Sequence, residues 1–139
     1  MLLSEFTERT GITPEYEEWQ AITTMYMLAD VDKDEFCKLW CKMNAQRVKT
    51  AKEQKAKEEK QYKAVNYLQD VRSFIFAKLQ KDSLYSRIFA ANLLGNSRFE
   101  KVNKCLVILG FEEIDMYDTA FGAFDYLENR INEFWDKAA

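Results

Sequence analysis

Residues 32–80 read DKDEFCKLWCKMNAQRVKTAKEQKAKEEKQYKAVNYLQDVRSFIFAKLQ, a run without a single Gly or Pro. Asp32-Lys33-Asp34-Glu35 is a helix-start signal, in which Asp32 can accept from free N–H groups and Glu35 can reach back. Apolar residues then step at helical spacing through Phe36, Leu39/Trp40, Met43 and Val48. They resume as Tyr62, Val65, Leu68, Val71, Ile75 and Leu79. Between Val48 and Tyr62 the stripe vanishes, leaving Ala51 and Ala56 among Lys, Glu and Gln. Unbroken, the run would make one helix of roughly 70 Å, at about 1.5 Å per residue.

The rest of the chain agrees with that period. It has 139 residues, is 47% apolar and 14% aromatic, and contains one Pro and four Gly. Such a chain is too apolar for disorder and too poor in turn residues for a β-sandwich. The expected class is all-α: five to six helices, a helical bundle with one long, partly solvated central helix. The organisation is an N-terminal helical pair (1–46), a basic helical connector (47–61) and a C-terminal helical cluster (62–139).

Taken in order, residues 3–10 suit a short helix ending at Gly11. Thr13-Pro14-Glu15 offers a cap, a first-turn Pro and a favourable carboxylate for a helix through Trp19, Ile22 and Tyr26 to Asp30. Thr10-Gly11-Ile12-Thr13-Pro14-Glu15-Tyr16-Glu17, Tyr26-Met27 and Asp32-Lys33-Asp34-Glu35-Phe36-Cys37-Lys38-Leu39-Trp40 resemble the opening of small uncharacterised helical proteins of phages and mobile elements of gut bacteria. The resemblance covers about the first forty residues. It implies a helical pair and a phage setting, and no catalytic residues.

Charge is unevenly spread: −5 over residues 1–46, +4 over 47–63 and −2 over 64–139. The basic segment is a flexible linker, a nucleic-acid tail or the solvated part of a long helix. Its residue types favour the helix, since Lys, Ala, Glu and Gln are strong helix formers, and Glu53–Lys57 and Glu59–Lys63 have the supportive i, i+4 order.

Beyond Gln80, Asp82-Ser83 starts a helix expected over 83–94, with Gly95 as its left-handed cap. Ser97-Arg98-Phe99-Glu100 forms a capping box for the next, expected over 98–109 and closed by Gly110. Its last turn, Cys105 to Leu109, is apolar all round and belongs at the centre of the C-terminal core. Asp115 is the expected cap of a final helix presenting Tyr117, Phe121, Phe124, Leu127, Ile131 and Phe134/Trp135.

The chain has no His, which removes the commonest general base and metal ligand. Cys37 and Cys41 could supply two thiolates to a metal, but structural zinc wants four ligands and Cys105 is far along the chain. The odd count reads as free thiols in a cytoplasmic, reducing setting. Met1-Leu2-Leu3 is cut short by Ser4-Glu5, so neither a signal peptide nor a membrane span is suggested. The glycines are dispersed and make no phosphate loop. Catalytic, cofactor and metal sites are therefore all expected to be none.

Two binding classes remain. The first is a non-enzymatic adaptor or inhibitor acting through protein contacts, conceivably as a homodimer, with Trp19 and Trp135 as partner-contact candidates. The alternative is a helix-turn-helix-like DNA regulator using 98–104, with Arg98, Lys101, Asn103 and Lys104 facing a groove. Glu112, Glu113 and Asp115 nearby would repel phosphate, and the acidic balance disfavours nucleic acid. If 47–63 is helical, far-UV circular dichroism will show well over half of the chain as helix. Limited proteolysis will then spare Lys49 to Lys63, whereas rapid cleavage there into two stable fragments would make the segment a linker.

Overall fold

A single residue divides the helical run of 32–80. In a computed structural model that describes residues 1–138, Asn44 leaves helical geometry (φ −119°, ψ 37°). It separates α3, Lys33–Met43, from α4, Ala45–Lys81. Its backbone N–H and its side-chain Nδ2 both donate to the Trp40 carbonyl, at 3.0 and 2.9 Å. Asn side chains compete in this way for backbone groups, and one such residue interrupts an otherwise favourable stretch. The central helix is real, but it starts at Ala45 and not at Asp32.

The N-terminal elements follow their signals with one shift. Helix α1, Leu3–Thr10, stops at Gly11, which is left-handed (φ 76°, ψ 7°). Helix α2 spans Tyr16–Ala29, so Pro14 is not its first residue. Residues before proline avoid the α region, and Ile12 and Pro14 are drawn into the core instead. The Ile12 N–H donates to Thr10 Oγ1 at 3.1 Å on the way. Asp30, at φ 52°, ends α2, and Asp32 Oδ1 accepts from the Glu35 N–H at 2.7 Å to start α3.

Larger departures lie beyond α4. The helix expected over 83–94 is a 3-10 turn, Ser83–Arg87, then the extended pair Ile88-Phe89, then the short α5, Ala90–Leu94. Tertiary hydrogen bonds outweigh helical ones here. Phe89 forms an isolated antiparallel bridge with Thr119, the Ala90 N–H donates to the Asp118 carbonyl, and the Ala120 N–H donates to the Ile88 carbonyl, both at 2.8 Å. Helix α6, Asn96–Ile108, starts immediately after Gly95. Gly95 has the positive φ that glycine tolerates (82°), but its ψ of 159° is extended and not the left-handed cap, and no side chain caps α6.

The final helix α7, Ala120–Ala138, begins later than Asp115. Asp115 Oδ1 accepts from the Tyr117 N–H in a tight turn, and Thr119 Oγ1 accepts from the Gly122 N–H at the helix start. The face that α7 buries is Ala120, Ala123, Leu127 and Ile131. Tyr117 and Phe121, expected on that face, are exposed. The described residues thus form seven α-helices, against the five to six expected, with no strand beyond the bridge.

The chain divides into two compact units, Met1–Lys57 and Glu58–Ala139, with α4 contributing to each. The first encloses Phe6, Ile22, Phe36, Trp40 and Val48. Rings interlock there: Phe6 meets Trp19 and Trp40 at 5.5 and 5.0 Å, and Tyr26 meets Phe36 at 5.3 Å. Two ion pairs tie α1 to the start of α3, Lys33 Nζ to Glu5 at 2.6 Å and Arg9 Nε to Asp34 at 2.7 Å. The second unit encloses Val65, Leu68 and Ile75 of α4, Val102 and Leu106 of α6, and Leu127 and Ile131 of α7. In the last turn of α6, Cys105 and Leu106 are buried, but Val107 points outward, so that turn is not central all round.

One buried polar group fixes the segment between α6 and α7. Asn103 Oδ1 accepts from the Ile114 N–H at 2.8 Å, and its Nδ2 donates to the Ile114 carbonyl at 3.3 Å. Asn103→Ala will orphan both backbone groups and lower unfolding stability by about 1–3 kcal/mol. Leu127→Ala will lower it by about 2–5 kcal/mol through lost burial and a residual cavity. Denaturant midpoints at unchanged slope measure both. Lys33 and Arg9 hold the Glu5 and Asp34 carboxyls below their ordinary range. Their contribution is present above the ordinary carboxylate range and lost as pH falls through the depressed values. An NMR titration of the two carboxyls will show those low midpoints, and Lys33→Ala and Arg9→Ala will raise them.

Candidate functional site

Helix α2 carries apolar residues on more than one side. Trp19, Ile22 and Tyr26 turn toward the first unit's core, yet Ile22 is the one fully buried residue of the helix. Met25, Met27 and Leu28 remain exposed. On α3, Phe36, Cys37 and Trp40 are buried, while Leu39 and Met43, four residues apart on one edge, are 48% and 80% exposed.

Between these two helices lies an open groove of about 490 Å³. Its α2 wall is Ala21, Ile22, Met25 and Ala29, and its α3 wall is Phe36, Leu39, Trp40 and Met43. Glu18 and Asn44 close one end. Arg47 forks onto both Glu18 oxygens and lies over the Trp40 ring at 5.9 Å, which pins that end of the groove. The walls are apolar, and Met25 and Met43 at the lip have unbranched, polarisable side chains that adapt to the shape of what they touch.

The polar residues of the groove's lining are Glu18 and Asn44. Beside α1, a smaller hollow of about 400 Å³ is lined by Arg9, Asp34, Cys37, Lys38 and Cys41. Burial pushes both thiols up from their ordinary value, outweighing the nearby cations, so neither is an activated thiolate. Burial raises the Cys105 thiol in the second unit as well. Among the described residues no group of His, Cys, Asp or Glu could hold a metal ion.

The residues singled out from sequence are dispersed. Trp19 is half-buried against Phe6, as part of the first unit's core. Trp135 is 38% exposed in the second unit and stacks on Tyr62 at 6.0 Å. Arg98 lies over Phe74 at 4.4 Å and Lys101 over Tyr67 at 4.3 Å, so both cations rest on aromatic faces of α4. Lys104 is exposed. Asn103 does not face a groove, being buried on Ile114. The helix-turn-helix outline is altered too, because α5 has five residues and Gly95 alone joins it to α6.

The groove itself was missed. Its signal was present in Met25 and Ala29, which fall off the stripe of Trp19, Ile22 and Tyr26. Leu39 and Met43 lie on the stripe of α3 but at its edge. No helix among the described residues is long and apolar enough to cross a membrane. Comparison with family models, curated proteins and solved structures gives no match.

Proposed function

We propose that this chain is a non-enzymatic helical adaptor or inhibitor that binds another protein through the groove between α2 and α3. The observation that carries the reading is the exposed apolar wall of Met25, Leu39 and Met43 around that groove. Apolar grooves between helices are a recurring way of holding an amphipathic helix, with side chains at i, i+3, i+4 and i+7 as anchors. The three free thiols, all held protonated by burial, suit a reducing cytoplasmic setting. The resemblance of the first forty residues supports a phage or mobile-element origin.

The test compares two substituted proteins for recovery of a stoichiometric partner from the source cell. Met43→Asp will abolish the complex while leaving circular dichroism and the unfolding midpoint unchanged, because that side chain is 80% exposed. Arg98→Ala/Lys101→Ala/Lys104→Ala will leave it intact. Salt-sensitive binding to a defined DNA site, lost in the triple variant, would overturn the reading in favour of a DNA regulator. Trp135→Ala will also leave the complex intact, whereas Trp19→Ala will act mainly through stability, as its ring packs on Phe6. The purified protein will show no turnover of nucleotides, esters or peptides.

A further inference from the structure

Where α3 ends and α4 begins, the first unit has a hollow that is basic, on a chain whose net charge is −3. Its volume is about 430 Å³. The apolar part of its lining is Cys41, Ala45 and Val48, with Val48 buried and Cys41 half-buried. Lys42, Lys49 and Lys52 line it as well, all exposed, against one carboxylate, that of Glu53. Among the described residues no carboxylate lies within ion-pair distance of these three ammonium groups. The Lys52 charge acts on the Cys41 thiol, which sets that ammonium close to the apolar lining. Cys41 also lines the neighbouring hollow beside α1, where Asp34 takes Arg9 and leaves Lys38 without an ion pair. Unpaired cations therefore border recessed apolar surface.

We infer that this hollow takes an acidic amphipathic segment of a partner protein, with an apolar side chain against Cys41, Ala45 and Val48 and carboxylates toward Lys42, Lys49 and Lys52. It shares no lining residue with the groove between α2 and α3, and the inference does not depend on what that groove binds. Exposed ammonium groups steer an anionic partner and fix its orientation, and each adds only modest affinity. The apolar lining supplies more, because a side chain seated there leaves water. Nucleic acid suits the hollow less well. The unpaired cations are all Lys, without the guanidinium fork that clasps a phosphate, and a sugar-phosphate backbone has nothing apolar to set against Val48. A lipid surface is flat, whereas Val48 is recessed at 7% exposure.

The experiment uses the full chain and four designed peptides of one length, about that of α2. Three share a Leu face at helical spacing and have polar faces of Glu, Gln or Lys. The fourth keeps the Glu face and has Ser in place of Leu. Calorimetry gives the affinities, and methyl NMR signals give the place of binding. The Glu–Leu peptide will bind roughly tenfold or more tighter than the Gln–Leu peptide, and the Lys–Leu and Glu–Ser peptides will not bind. The Val48 methyls will shift, and those of Met25 and Met43, which line the other groove, will not. Lys42→Gln/Lys49→Gln/Lys52→Gln will bring the Glu–Leu peptide down to the affinity of the Gln–Leu peptide. The unfolding midpoint will stay where it is, since all three lysines are exposed and unpaired. Added salt will narrow the same gap.

Other results overturn the inference in distinguishable ways. Equal binding of the Glu–Leu and Gln–Leu peptides at Val48 would leave an apolar hollow without a charge preference. Equal binding of the Glu–Leu and Glu–Ser peptides would be diffuse attraction to lysines and not docking. Shifts at Met25 and Met43 in place of Val48 would put the peptide in the other groove, supporting that reading and removing this one. Displacement of the Glu–Leu peptide by a single-stranded oligonucleotide that binds more tightly would assign the hollow to nucleic acid. Self-association of the free protein that disappears in the triple Lys variant would make the occupant a second copy. Absence of binding by all four peptides would remove the inference and leave the groove to its own test with Met43→Asp.

Discussion

Helix α4 has apolar side chains to bury at its two ends and none between. Val48 enters one core, and Ala64, Val65, Leu68, Val71 and Ile75 enter another. From Lys52 to Lys60 every residue faces water. Burial of apolar surface is what holds helices against one another, and that middle offers little of it. Each end must close its own core with the chain available on its own side. The N-terminal unit is small for that task, since domains near this size bury a modest share of their surface. It meets the need with large rings, Phe6 against Trp19 and Trp40 and Tyr26 against Phe36.

The second unit solves a different problem, that of a long connection between α6 and α7. Residues 109–119 are pinned at several points by polar bonds. The Phe111 N–H donates to the Leu106 carbonyl at 2.9 Å, the Tyr126 hydroxyl to the Glu112 carbonyl at 2.7 Å, and Asn103 holds both polar groups of Ile114. The bridge of Phe89 with Thr119 completes the set. All but the first of these join residues eleven or more apart, and the bridge, with the bonds of Ala90 to Asp118 and Ala120 to Ile88, takes the place of the local helix that 83–94 would otherwise form. Buried backbone groups must be paired somewhere, and here they are paired across the unit.

That division explains which features could be read from sequence. The class, the helical middle of α4, the Gly11 cap, the Asp32 cap and the apolar stripes of α4 and α6 depend on local propensity and period, and they were legible. The break at Asn44 depends on a single side chain choosing the Trp40 carbonyl. The loss of a helix over 83–94 depends on partners at Asp118 and Ala120, and the late start of α7 on Thr119 supplanting Asp115. The buried face of α7 was misplaced because Ala120 and Ala123, small enough for close approach, were passed over in favour of Tyr117 and Phe121. The groove was illegible for a related reason: a stripe shows which residues are apolar, and it does not show whether the neighbouring helix covers all of them.

Large apolar side chains are exposed in both units. In the second, the exposed rings of Phe89 and Tyr117 meet edge to face at 5.8 Å across the bridge, while Leu84, Met116 and Phe121 are exposed as well. Likewise Trp135 lies on Tyr62. In the first, Met25, Leu39 and Met43 line the groove beside Ile22, Phe36 and Trp40 of the core. At 80% exposure Met43 contributes little to folding, and a polar residue there would typically alter stability by about 0.5 kcal/mol or less. Stability alone therefore gives no reason for a Met at the lip of that groove. On the proposed reading association does, because a bound helix would take that apolar area out of water.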